Sequence, residues 1–165
     1  MLDQKPKIIP NFPELLRSFQ IAEQNYSKDE VVLLGINNNG HQFSKLIQKQ
    51  LKKITDTTVS IARIKLNPAD PLSEDIVVDK DLGDLKSKVL IIVDDVANTG
   101  RTIFYAFQPL LALLPSKLQV AVLVDRKHKS FPIEVDYVGL SLATTMKENI
   151  VVKLTGDEGM EVHLN

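Results

Sequence analysis

The feature that most constrains this chain is a set of short apolar blocks. Val31-Val32-Leu33-Leu34-Gly35-Ile36 and Val89–Val93 run apolar without a break, and Leu118–Val124 is interrupted only by Gln119. A strand with one wet face alternates apolar and polar residues, whereas a strand covered on both faces reads as a continuous run rich in Val, Ile and Leu. Segments of helical period lie between the blocks. Phe12, Leu15, Leu16, Phe19 and Ala22 mark a helix over residues 12–25, with Pro13 suited to its first turn. Phe43, Leu46, Ile47, Leu51 and Ile54 mark a second helix, with Lys45, Lys49, Lys52 and Lys53 on its other face. A third runs from Arg101 to Leu114 on Ile103, Phe104, Phe107, Leu110, Leu111 and Leu114. Pro109 sits inside that stripe, where a proline costs ~3 kcal/mol and kinks a helix.

Val59–Ile64, Val135–Leu140 and Ile150–Leu154 read as further strands. The expected fold is therefore α/β, an open, mostly parallel sheet with helices on both faces. The length of 165 residues fits a single domain over residues 1–165. Ligands in such sheets bind at the carboxyl ends of the strands, which directs attention to the loops after Ile36, Val93 and Val124. Residues 65–87 stand apart. They hold Pro68, Pro71 and the acids Asp70, Glu74, Asp75, Asp79, Asp81 and Asp84 without clear period, and read as a mobile acidic loop, either functional or disordered.

Composition excludes several classes. The chain has no Cys, so no disulfide framework, thiolate metal site or cysteine nucleophile is available. A reducing, cytoplasmic setting is expected. Twenty Lys and Arg against 21 Asp and Glu leave a net charge of −1, which argues against bulk nucleic-acid binding. No apolar run approaches the ~20 residues of a membrane span, and the opening Met1-Leu2-Asp3-Gln4-Lys5-Pro6 is unlike a signal peptide.

The chemistry concentrates in Val93-Asp94-Asp95-Val96-Ala97-Asn98-Thr99-Gly100-Arg101-Thr102. A buried strand runs into two carboxylates, then into small residues, hydroxyls and a glycine at a helix start. Backbone N–H groups and the helix dipole there favour an anion. Gly100 allows close approach, and Thr99 and Thr102 add donors. The segment reads as a phosphate cradle. It is neither a P-loop, which needs Gly-Lys-Ser/Thr, nor a three-glycine dinucleotide fingerprint. Asp94 and Asp95, as acceptors, suit a sugar diol. Phosphate and diol together describe a ribose 5-phosphate. The plainer alternative is a pair of acids capping a strand, with Thr99 as a helix N-cap.

That string resembles the ribose-phosphate motif of type I phosphoribosyltransferases. Leu123-Val124-Asp125-Arg126-Lys127-His128, Phe131-Pro132-Ile133 and Asp136-Tyr137-Val138-Gly139 are similar to the PyrR family of pyrimidine operon regulators and uracil phosphoribosyltransferases. The resemblance covers most of residues 30–155. It implies transfer of ribose 5-phosphate from 5-phosphoribosyl-1-pyrophosphate to a nucleobase, a pyrimidine such as uracil, with Mg²⁺ accompanying the pyrophosphate. By the same resemblance, Asp94 and Asp95 hold the ribose hydroxyls and act in catalysis. Ala97, Asn98, Thr99, Gly100, Arg101 and Thr102 hold the 5-phosphate. Asn37, Asn38, Asn39 and Gly40 fall at the pyrophosphate loop, Asp125 and Arg126 fall near the base, and a homodimer is implied. No protein metal ligand is assigned.

Three places depart from the family pattern. Asn38-Asn39 stands where Thr-Arg usually precedes Gly40, so a charged contact is missing. Leu66-Asn67-Pro68-Ala69-Asp70 replaces a Tyr-Arg-Asp-Asp string, leaving Arg63 and Lys65 as the nearest cations. Gly139-Leu140-Ser141-Leu142-Ala143-Thr144-Thr145 lacks the Lys and Pro expected after its Gly. Two other readings therefore stand beside the enzyme. One is a nucleotide or phosphoribosyl-pyrophosphate sensor with little catalysis. The other is an RNA-binding attenuator using the Lys45, Lys49, Lys52 and Lys53 face with Lys127 and Lys129. His128 is a further candidate contact for base or RNA, and a solvated lysine face is the plainer alternative.

Overall fold

The computed structural model describes residues 7–8, 30–143, 150–155 and 159–164. Its elements in chain order are β1 (Lys7–Ile8), β2 (Val31–Ile36), α1 (Asn37–Ile54), β3 (Val59–Lys65), β4 (Val77–Val78), β5 (Val89–Ala97), α2 (Arg101–Ala106), β6 (Lys117–Arg126), β7 (Tyr137–Leu142), β8 (Ile150–Thr155) and β9 (Gly159–Leu164). The helix expected over residues 12–25 lies outside the described residues.

The main sheet has six strands in the order β4-β3-β2-β5-β6-β7. All pairs are parallel except β3 with the short β4. Every residue of β2 is buried, and alternate side chains go to opposite cores. Val31, Leu33, Ile91, Val93, Ala121 and Leu123 join Phe43, Ile47 and Leu51 of α1 on one face. Val32, Leu34, Leu90, Ile92, Val120 and Val122 join Ile103 and Ala106 of α2 on the other. Each fully buried Leu, Ile or Val contributes about 1.5–3 kcal/mol, so the double covering inferred from the apolar blocks is also the main source of stability. No helix among the described residues is long and apolar enough to cross a membrane.

Four expectations need correction. First, Asn37–Gly40 is not a separate turn but the first turn of α1. Asn37 starts it with a φ of 51°, a left-handed value that Asn tolerates. Second, the helix from Arg101 stops at Ala106 instead of reaching Leu114. Pro109 falls in a separate 3-10 turn, Gln108–Leu110, at a position where its missing N–H costs nothing. Leu110 is buried, but Leu111 and Leu114 are 74% and 77% exposed, so the continuous stripe does not form. Third, the Ile150–Leu154 strand is not part of the main sheet. It is within β8, in an antiparallel three-stranded sheet of order β1-β9-β8. Val152 of β8 packs into the α1-side core. Fourth, residues 65–87 carry regular structure. β4 pairs with the end of β3, and a 3-10 turn spans Leu82–Leu85, started by Asp81, whose carboxylate accepts from Gly83 N at 2.7 Å. The six acids of the segment are all exposed, which relieves their mutual repulsion.

Two glycines let α1 lie directly on the sheet. A Cβ on Gly40 would stand 2.5 Å from the Val93 carbonyl oxygen, and one on Gly35 would stand 2.5 Å from Gly40 and His41 backbone. These are backbone obstacles that cannot rotate away. Forced overpacking of this kind costs ~1–3 kcal/mol or more. Gly40→Ala and Gly35→Ala are each expected to lower the thermal midpoint by about 2–12 °C, at roughly 2–4 °C per kcal/mol for a chain of this size. Gly83→Ala meets only the Asp81 side chain, at 3.1 Å, and is expected to shift the midpoint far less in the same scan.

Candidate active site

Three adjoining hollows share walls across the carboxyl ends of β5, β2 and β3. The first, about 550 Å³, is lined by Asp94, the stretch Val96–Ile103, Pro68, Ser130 and Phe131. The second takes in Asn37, Asn38 and Asn39 together with Asp94, Asp95, Asn98 and Thr102. The third continues from Asn37 and Asn38 to Arg63, Lys65 and Asn67. The structure thus gathers the expected carboxylates, cradle and asparagine loop into one groove, at the strand ends where the topology predicts a ligand.

β5 carries the acids inside the strand, since it continues to Ala97 instead of ending at Val93. Asp94 still pairs with Val122, and Ala97 with Asp125. Both carboxylates line the same hollow. Asp94 is 8% exposed. Burial, with the Asp95 charge beside it, pushes its carboxyl well above the ordinary value of 3.8. One Asp94 oxygen accepts from Asp95 N at 2.9 Å, which pulls weakly the other way. Asp95 accepts from Val96 N at 2.9 Å and from the Asn39 side chain at 3.0 Å. The pair therefore differs: a buried carboxyl that resists ionisation beside a more open, hydrogen-bonded one.

The cradle turns on Gly100. It precedes α2 with a φ of 85°, which a side chain strains to adopt. The helix cap is Gly100, while Thr99 Oγ1 accepts from Arg101 N only at 3.4 Å. The Thr99 carbonyl accepts from Ser130 N at 2.9 Å and Phe131 N at 3.1 Å, fixing the loop against the segment after β6. The Arg101 side chain turns aside, donating to the Pro68 carbonyl at 2.8 Å. The same nitrogen lies 3.4 Å from the Ala69 carbonyl, which ties the acidic segment to the wall of the first hollow.

Asn37 is committed to structure. Its amide donates to the Leu66 carbonyl at 3.0 Å and its oxygen accepts from Leu66 N at 3.1 Å, tying α1 to the end of β3. Asn38 accepts from Arg63 Nη1 at 3.0 Å. The first turn of α1 has no side-chain cap and no acid, leaving its electropositive end open to the groove.

The two residues expected near the base are engaged with neighbours. Asp125 is ion-paired with Lys129, which also donates to the Arg126 carbonyl. Arg126 donates to Asn98 at 3.3 Å, bridging to the cradle. Sequence reasoning missed the Lys129 pairing: the four-residue spacing crosses a strand end and a loop, where no helix face brings the two together. It also missed Asp79, which accepts from Arg63 N at 2.7 Å and holds β4 in place; no local pattern announces that contact. His128 is exposed, and Thr144 and Thr145 lie outside the described residues. Among the described residues there is no group of three His, Asp or Glu able to hold a metal.

A cradle, a carboxylate pair and an open α/β sheet in this order define a class, and comparison agrees. The chain belongs to the phosphoribosyl transferase domain family, whose model matches residues 11–154. Within it the chain is PyrR-like. It is 35% identical over 149 residues to the Bifunctional protein PyrR of Streptococcus sanguinis, covering 87% of this chain and 85% of that one. It is 34% identical over 157 residues to that of Ligilactobacillus salivarius, covering 88% of each. Among solved structures it is similar to a hypoxanthine phosphoribosyltransferase of Staphylococcus aureus, with a TM-score of 0.68 at 21% identity over 90% of this chain and 81% of that one. A hypoxanthine-guanine phosphoribosyltransferase of Bacillus anthracis gives a TM-score of 0.64 at 20% identity over 84% and 79%. These two likenesses concern the fold, the mostly parallel open sheet with its helices.

Because Asp94 binds its proton more tightly folded than unfolded, its ionisation destabilises the native state. That cost is absent below the unfolded value of 3.8 and grows as pH rises toward the raised folded value. Asp94→Asn is therefore expected to raise the thermal midpoint relative to wild type at pH 7–8. The gain should vanish near pH 4. A midpoint difference that is independent of pH contradicts this account.

Proposed function

We propose that the chain transfers the 5-phosphoribosyl group from 5-phosphoribosyl-1-pyrophosphate to a nucleobase, with release of pyrophosphate. The observation that carries this is the placement of Asp94 and Asp95 on one wall beside the Gly100 cradle. Membership of the phosphoribosyl transferase domain family and the likeness to PyrR proteins support it. A pyrimidine such as uracil is the base we favour, on the PyrR likeness.

In this reading the backbone N–H groups of residues 97–102 hold the 5-phosphate, with the Thr99 and Thr102 hydroxyls beside them. Asp94 and Asp95 receive the ribose 2- and 3-hydroxyls. The departing pyrophosphate leaves positive charge on the ribose ring, and the Asp95 carboxylate offsets it at fixed distance without solvent reorganisation. Mg²⁺, when bound, would neutralise the pyrophosphate through phosphate and hydroxyl oxygens, needing few protein ligands. Asp125 and Arg126, locked by Lys129 and Asn98, form the wall toward the base.

The test is incubation with 5-phosphoribosyl-1-pyrophosphate, Mg²⁺ and a panel of bases, with pyrophosphate measured. Release with at least one base is expected. Asp94→Asn with Asp95→Asn should lower ribose 5-phosphate affinity by about 10–100-fold, the scale of lost charged hydrogen bonds. Binding of ribose 5-phosphate without turnover on any base would favour a sensor.

A second reading adds RNA. Lys45, Lys49, Lys52 and Lys53 are all exposed on α1, and none forms an ion pair among the described residues. Binding of RNA there should weaken steeply with added salt, and replacing two of the lysines by Gln should flatten that slope by about two contacts' worth. Absence of binding at low salt removes this reading.

A further inference from the structure

The groove has a charged end that the reading above does not use. At the carboxylate end the asparagine loop offers no charged side chain, since Asn37, Asn38, Asn39 and Gly40 are all neutral. A pyrophosphate group carries three to four negative charges, and neutral amides alone screen them poorly. The cationic side chains lining the three hollows are Arg101, Arg63 and Lys65. Arg101 is directed to the Pro68 and Ala69 carbonyls. Arg63 and Lys65 remain, on the same side of β3 by strand alternation, and both line the hollow that shares Asn37 and Asn38 with the carboxylate hollow.

Arg63 is built in place. Its backbone exchanges hydrogen bonds with Asp79, at 2.7 Å to the carboxylate and 3.0 Å from Asp79 N to the Arg63 carbonyl. Its Nη1 rests on Asn38 at 3.0 Å. Its Nε is buried without a hydrogen-bond partner. No carboxylate among the described residues forms an ion pair with it. Near it, His41 is held below its ordinary value by burial first and by the Arg63 charge second. Glu74 and Asp75 line the same hollow and are exposed to solvent that screens them. A partly buried guanidinium with an unmet donor and no carboxylate partner is an anion site awaiting its anion.

We propose that Arg63, assisted by Lys65, binds the pyrophosphate group, so that β3 supplies the charge that the neutral asparagine loop lacks. Asn38 then orients the guanidinium between its own side chain and the phosphate oxygens. The proposal rests on the transferase reading for the identity of the ligand, and the experiment separates the two.

Inorganic pyrophosphate and ribose 5-phosphate are titrated separately, with Mg²⁺ present, into wild type, Arg63→Gln and Arg63→Lys by calorimetry. Gln keeps a donor for Asn38 but loses the charge; Lys keeps the charge. Arg63→Gln should weaken pyrophosphate by about 10–100-fold, Arg63→Lys by less than about 10-fold, and neither should alter ribose 5-phosphate. Pyrophosphate binding unchanged in Arg63→Gln overturns the proposal, as does equal loss of both ligands in both variants, which marks Arg63 as structural. Wild type that binds pyrophosphate but not ribose 5-phosphate overturns the transferase reading and leaves Arg63 as an anion site.

Discussion

The contact on which the rest depends is that of backbone against backbone, where Gly35 and Gly40 bring α1 onto β2 and β5. No side chain intervenes, so the start of α1 sits at main-chain distance from the Val93 carbonyl. One residue later the same strand presents Asp94 and Asp95. The Asn39-to-Asp95 hydrogen bond is possible because of that approach. The groove is therefore a by-product of helix packing: the spacing that fills the core also fixes the separation of its two walls.

The site runs against the stability of the fold. The core gains from apolar burial on both faces, yet β5 at its centre carries a carboxylate with 8% exposure and a like charge beside it. A neutral residue there satisfies the fold better. The acid is tolerated because β2 on one side, buried along its whole length, and the buried middle of β6 on the other over-determine the backbone.

Much of this was legible in the sequence. Unbroken apolar blocks revealed the doubly covered strands, and the ten residues from Val93 revealed the cradle, because chemistry and turn signals there are local. Gly100 was readable as a special backbone position for the same reason. What escaped was set by distance. The pairing of β4 depends on Asp79 reaching Arg63 across 16 residues, and the second sheet depends on β1 meeting β9 from opposite ends of the chain. The shortened α2 was a question of magnitude: Pro109 was seen, but its cost within a helix outweighs the apolar stripe that Leu111 and Leu114 extend in the sequence. Asn37 was read as part of the pyrophosphate loop, but not for the double hydrogen bond to Leu66 that occupies its side chain.

The tie at the wall of the first hollow has one further consequence. Arg101 grips the acidic segment through the carbonyls of Pro68 and Ala69. A main-chain carbonyl is the same whatever side chain follows it. The grip is thus indifferent to the identity of those residues, and substitutions can accumulate in the segment without loosening it. The side chains of the segment are free to drift, while the guanidinium that holds its main chain stays fixed at the start of α2.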